Sequence, residues 1–178
     1  MSRRSWSLFA AMCVIWGIPY LLIKVAVAEV APALLVFVRT AGGALLLLPL
    51  VLHRRQLGVV RGRLPAVVAF ATVELIGPWL LLSDAEQHLS SSLTGLLIAT
   101  VPIIGVVAAR VTGDRRPITV LRWVGLLVGF GGVALLGAPA LESGGGWPVT
   151  EVLLTAVGYA TGPIIADRAL RDVPPLTL

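Results

Sequence analysis

Four ionisable side chains stand within runs of otherwise apolar sequence: Lys24, Arg39, Glu74 and Asp167. A charge at the centre of a membrane helix costs roughly 2.5–3.5 kcal/mol on insertion scales, so such a residue normally faces a partner or a wet cavity. Depth separates the four. Lys24 lies about 6 Å from the end of its run at the helical rise, within reach of the interface, and can serve as an anchor. Arg39 lies about 11 Å beyond Pro32, too deep to snorkel comfortably, and calls for a structural counter-charge or a solute. Glu74 is equally far from both ends of its run. It can be held neutral by desolvation, be paired with Arg39 or Lys24, face a wet vestibule, or exchange a proton during transport. Asp167 falls near the inner end of the last run.

Aromatic residues with one polar handle accompany them: Trp16, Tyr20, Trp79 and Tyr159. Trp16, Tyr20 and Lys24 are spaced by four and share one helix face, a stripe suited to a polar cavity wall or to helix packing with the ring donors bonded to carbonyls. Enzyme chemistry finds no support. There is no G-x-S-x-G, H-E-x-x-H, P-loop or Cys/His cluster, and His53 and His88 fall in loops on opposite sides. Ser91 and Ser92 have only His88 as a base, at the surface. The sequence therefore predicts no catalytic residue, no metal and no cofactor. The single Cys13, inside an apolar run, reads as a small buried hydrophobe and supports no disulfide.

The elements that must position these residues are membrane spans. Of 178 residues 57% are hydrophobic and 13% charged, with mean hydropathy +0.95, which excludes a soluble domain. The apolar runs are about 20 residues long, as a helix needs to cross the hydrocarbon core. Spans are predicted near residues 6–28, 31–52, 64–83, 89–111, 119–138 and 148–168, an all-α polytopic transmembrane helix bundle of about six spans. Of the loops, only 53–63 and the glycine-rich 143–146 exceed a tight turn.

Twelve of the fourteen Lys and Arg flank alternate loops, which places those loops and the amino terminus in the cytoplasm. The opposite loops carry Glu29, Asp84, Glu86, His88, Glu142 and Glu151. The net charge of +5 is thus a topology signal, not a nucleic-acid footprint. Localisation in the cell (cytoplasmic) membrane, multi-pass, follows. Arg3, Arg4 and Ala26-Val27-Ala28 also resemble a signal peptide, but the apolar stretch is overlong and Lys24 interrupts it. Trp6, Trp123 and Trp147 fall at span ends, where the interface favours them. Gly125 and Gly129, and Ser91, Gly95 and Ala99, repeat at four, which predicts close packing of the fourth and fifth spans. Pro19, Pro78, Pro102 and Pro163 interrupt spans at mid-depth and allow kinks.

Several of these residues together carry a resemblance. Ile15-Trp16-Gly17 with Lys24, Pro32 with Phe37-Val38-Arg39-Thr40, and the stretch from Ala85 to Gly137, notably Ser90 to Leu97, Thr100-Val101-Pro102 and Gly125 to Gly137, resemble the EamA-like carriers of the drug/metabolite transporter superfamily. The resemblance implies ten spans in two five-span repeats of opposite orientation, with the solute held between them. Residues 6–138 then form the first EamA-like five-helix repeat, and 148–178 the start of a second, truncated one. Tyr159 to Asp167 can be laid on Trp16 to Lys24 in support. Gly113-Asp114-Arg115 departs from the Glu that the family commonly places after the fourth span.

The function this implies is a secondary transporter, an exporter of a small metabolite or amino-acid-like solute by alternating access. Its expected partners are the lipid bilayer, the solute and a second half or second copy, although the inward Arg bias opposes dual insertion. The alternative is a non-transporting membrane fragment or an accessory or scaffold subunit that needs a partner half. The candidate solute-binding or coupling residues are Trp16, Tyr20, Lys24, Arg39, Glu74, Trp79 and Tyr159.

Overall fold

A computed structural model describes residues 3–54, 57–114, 119–142 and 146–174. The glycine-rich loop at 143–145, the arginines of the 115–117 loop and the tail from Pro175 lie outside the described residues. The helices in chain order are α1 (Arg3–Ala26), α2 (Pro32–His53), α3 (Leu57–Gly62), α4 (Leu64–Phe70), α5 (Gly77–His88), α6 (Ser91–Ile98), α7 (Val101–Val111), α8 (Val120–Glu142) and α9 (Gly146–Ala169), with a π-helical segment (Ala71–Ile76) joining α4 to α5. No strand occurs among the described residues.

Five stretches are long and apolar enough to cross a bilayer: α1, α2, Leu64–His88, Ser91–Val111 and α9. Helix α8, whose Trp123–Leu135 is also apolar, supplies the other, so the chain is an all-α polytopic bundle of about six spans. Its surface is what a lipid-facing bundle requires. Leu45, Leu46, Val111 and Leu121 are exposed, as is Cys13, which corrects the expectation that the thiol is buried.

The third span runs five residues beyond its predicted end at Ser83. The sequence Ser83-Asp84-Ala85-Glu86-Gln87-His88 reads as a polar loop, yet it is the last part of α5, with Ser83, Ala85 and Glu86 all fully buried. The helix persists because α9 and α1 cover this face. Ser90 then opens α6, its hydroxyl accepting from the Leu93 amide at 3.3 Å, an N-cap that satisfies one otherwise orphaned donor.

Two of the four mid-span prolines stand where helices restart. Pro78 follows the π-helical segment and Pro102 follows the break at Ala99 and Thr100, whereas α1 and α9 continue through Pro19 and Pro163. Because Pro78 has no amide hydrogen, the bond that would reach back to Glu74 is missing. The chain answers with a wider turn in which the Gly77 amide reaches Thr72 O.

Helix α9 touches the third, fourth and fifth spans and is the most enclosed of the bundle. Its close approach rests on Gly158 and Gly162, which face the third span: a Cβ at Gly158 would lie 2.5 Å from Val73 O and 2.6 Å from Pro78 Cγ. Gly125 and Gly129 meet open space, so the predicted packing of α8 through that face is not formed; Gly95 packs instead on the Tyr20 ring of α1. The spacing is the same at both sites, but only one has a neighbour at hand. One end of the bundle is sealed by an apolar cluster of Ile23, Val27, Leu82, Ala85, Leu89 and Val152, with others around it.

Candidate functional site

A cavity of about 500 Å³ lies between α1, α2, the third span, the start of α7 and α9. Its polar and aromatic lining is Trp16 and Tyr20 from α1, Arg39 from α2, Glu74 and Trp79 from the third span, and Tyr159 from α9. Apolar walls come from Ile15, Pro19, Ile23, Leu75, Leu82, Ile98 and Val101. Six of the seven side chains singled out in the sequence thus share one space. Trp16 remains 61% exposed, so the cavity is open along the flank of α1.

Helix geometry explains the convergence. Trp16 and Tyr20 are four apart on α1, so both rings reach the same face. On the third span Glu74 sits in the π-helical segment and Trp79 just beyond it. Arg39 does not pair with Glu74. Its guanidinium stacks on Trp79 instead, Cζ lying 4.1 Å from the ring centroid. One guanidinium nitrogen, NH1, and one oxygen of Glu74, Oε2, are buried without a hydrogen-bond partner among the described residues. Glu74 also lies directly over Gly162: a Cβ there would meet the Glu74 carboxylate and come within 2.8 Å of its Cβ.

Two predicted charges lie elsewhere. Lys24 stands beyond the cavity, its Nζ donating to Glu86 O at 2.6 Å and Gln87 O at 3.4 Å. Asp167 is largely exposed and pairs with Arg171 at 2.9 Å, one turn on, so it brings no buried charge to the span. Conversely, the sequence reading missed Glu86. The sequence places it in a loop, yet it is 0% exposed and both carboxylate oxygens lack a hydrogen-bond partner among the described residues. Its position seven residues after Trp79, on the same helix face, was the available signal.

A mostly apolar cleft with one cation and one carboxylate, each with an unsatisfied group, can hold a small molecule that carries complementary polar ends. The arrangement defines a polytopic membrane protein with a solute-sized cavity within its helix bundle. The family model of the EamA-like transporter family matches residues 4–138, and the chain belongs to that family. It is similar to the uncharacterized inner membrane transporter YedA of Escherichia coli K12, 28% identical over 164 residues that cover 92% of this chain and 53% of the relative. It is also similar to the uncharacterized transporter YvbV of Bacillus subtilis 168, 28% identical over 169 residues, 93% of this chain and 54% of the relative. The chain therefore spans about half the length of the curated relatives it matches. No solved structure matches the chain significantly.

Proposed function

We propose that the chain is the amino-terminal portion of a secondary transporter that moves a small metabolite or amino-acid-like solute out across the cell membrane by alternating access. The observation that carries this reading is the cavity, where Trp16, Tyr20, Arg39, Glu74, Trp79 and Tyr159 converge around unpartnered Arg39 and Glu74 groups. No cofactor or enzymatic step is needed. The names of the relatives support transport, and their greater length supports a second half. In this reading residues 6–138 are one repeat, α9 opens the next, and further helices close the cavity along the exposed Trp16. The amino terminus is cytoplasmic and the arginine-rich loops face inward.

Flux of labelled amino acids and small organic ions from proteoliposomes tests the function. Glu74→Gln is expected to lower the initial rate at least tenfold and to flatten its pH dependence. Unchanged flux and pH profile would remove Glu74 from the site, and no flux of any solute with the full-length reading frame would favour the non-transporting subunit. Cysteines at Arg115 and Gly145 are expected to label from opposite sides; labelling from one side would break the topology.

A further inference from the structure

Glu86 is a buried carboxylate that the cavity lining does not account for. We propose that it is a positioning residue of the solute site, the counter-charge of Lys24, and that through Lys24 it keeps the arginine-poor end of the cavity shut. The inference rests on the transporter reading above.

The geometry at this end is specific. Lys24 on α1 reaches across to the last turn of α5 and donates to the carbonyls of Glu86 and Gln87. Carbonyls of a last helical turn have no intrahelical partner, and the negative end of the helix dipole favours a cation there. Neutral carbonyls alone do not compensate an ammonium drawn partly out of water. The Glu86 carboxylate, fully buried on the same residue as the nearer carbonyl, supplies the missing charge. No hydrogen bond among the described residues fixes either of its oxygens, unlike most buried structural carboxylates.

The pair also sits in the right place. Ile23, next to Lys24, and Leu82, one turn before Glu86, line the cavity and also belong to the apolar cluster that seals this end. Tyr20, one turn before Lys24, lines the cavity. Lys24 and Glu86 therefore stand one helical turn beyond the solute space, where α1 and α5 must part if the cavity is to open at this end. Without the Glu86 charge, Lys24 keeps only neutral carbonyls as partners. It then gains by moving to the interface and abandoning them.

The test is a distance between the two helices in lipid nanodiscs, which needs no solute and no assumption about orientation. In a Cys13→Ser background, spin labels at Ala28→Cys and His88→Cys are measured by pulsed electron resonance, with a second pair at Gly62→Cys and Asp172→Cys at the opposite end. The parent is expected to give one short distance for the first pair. Glu86→Gln and Lys24→Met should each move at least half of the population to a longer distance, the double variant no further than either single one, while Glu86→Asp retains the short distance. The second pair should not change. An unchanged first pair in Glu86→Gln, or broadening of both pairs alike, overturns the proposal. If Glu86→Gln does not insert, Lys24→Met decides alone, and an unchanged distance there overturns it equally. A flat result with intact flux removes the latch and leaves the transporter reading standing.

Discussion

Replacing Gly158 by alanine adds one methyl group where the third span and α9 are closest. The new Cβ would lie 2.5 Å from Val73 O and 2.6 Å from Pro78 Cγ, against the 3.4 Å at which ordinary contact begins. The helices must therefore part by 0.8–0.9 Å at this point, since neither a backbone carbonyl nor a proline ring can turn aside. A gap of that size forfeits about a quarter to a half of the dispersion energy of the atoms it separates. It also stretches the bond from Thr155 Oγ1 to Pro78 O, now 3.1 Å, out of hydrogen-bonding range, for roughly 1 kcal/mol. The helix preference of alanine over glycine returns about 1 kcal/mol. With the roughly 1–3 kcal/mol typical of overpacking, the net loss should be about 1–3 kcal/mol. Equilibrium unfolding in mixed micelles, followed by tryptophan fluorescence, measures it. Gly125→Ala and Gly129→Ala, which meet open space, should be neutral or more stable by up to about 1 kcal/mol. Equal stability of Gly158→Ala and the parent, or an equal loss at Gly125, would refute the packing account.

Trp79→Leu removes the face on which Arg39 stacks while keeping apolar volume in the wall. A cation–π contact is worth about 0.5–2 kcal/mol depending on desolvation, so the solute KM should rise about twofold to thirtyfold in proteoliposome flux, and an unchanged KM would take Trp79 out of the site. Asp172→Asn breaks the ion pair with Arg63, whose side chains are 49% and 65% exposed. Exposed pairs contribute about 0–1 kcal/mol, so unfolding should shift within that range and less at high salt, and a larger, salt-independent loss would show that the contact is structural.

The cavity lining was legible in the sequence because the cost of a charge or a polar ring in hydrocarbon belongs to the residue itself and needs no knowledge of its neighbours. Arg39, Glu74, Trp79 and Tyr159 could therefore be singled out from depth alone, and α1 contributes Trp16 and Tyr20 through a spacing of four. Packing is different, because it is relational. The glycine pairs at 125/129 and 158/162 have identical spacing, and only the fold decides that α9, not α8, brings its pair against another backbone. Glu86 shows the same limit from the polar side. Hydropathy sees Ser83 to His88 as a loop because it scores residues singly, whereas the helix continues there because α9 covers it and Lys24 occupies its terminal carbonyls. Nor does the π-helical segment announce itself, except that Pro78 stands four residues after Glu74 and so cannot donate the bond that an α-helix would place on the Glu74 carbonyl. That coincidence has a consequence for the cavity wall. A wider turn at Glu74 sets its carboxylate against Gly162 of α9, so the deepest acid of the cavity is positioned by a missing hydrogen bond on one helix and a missing side chain on another.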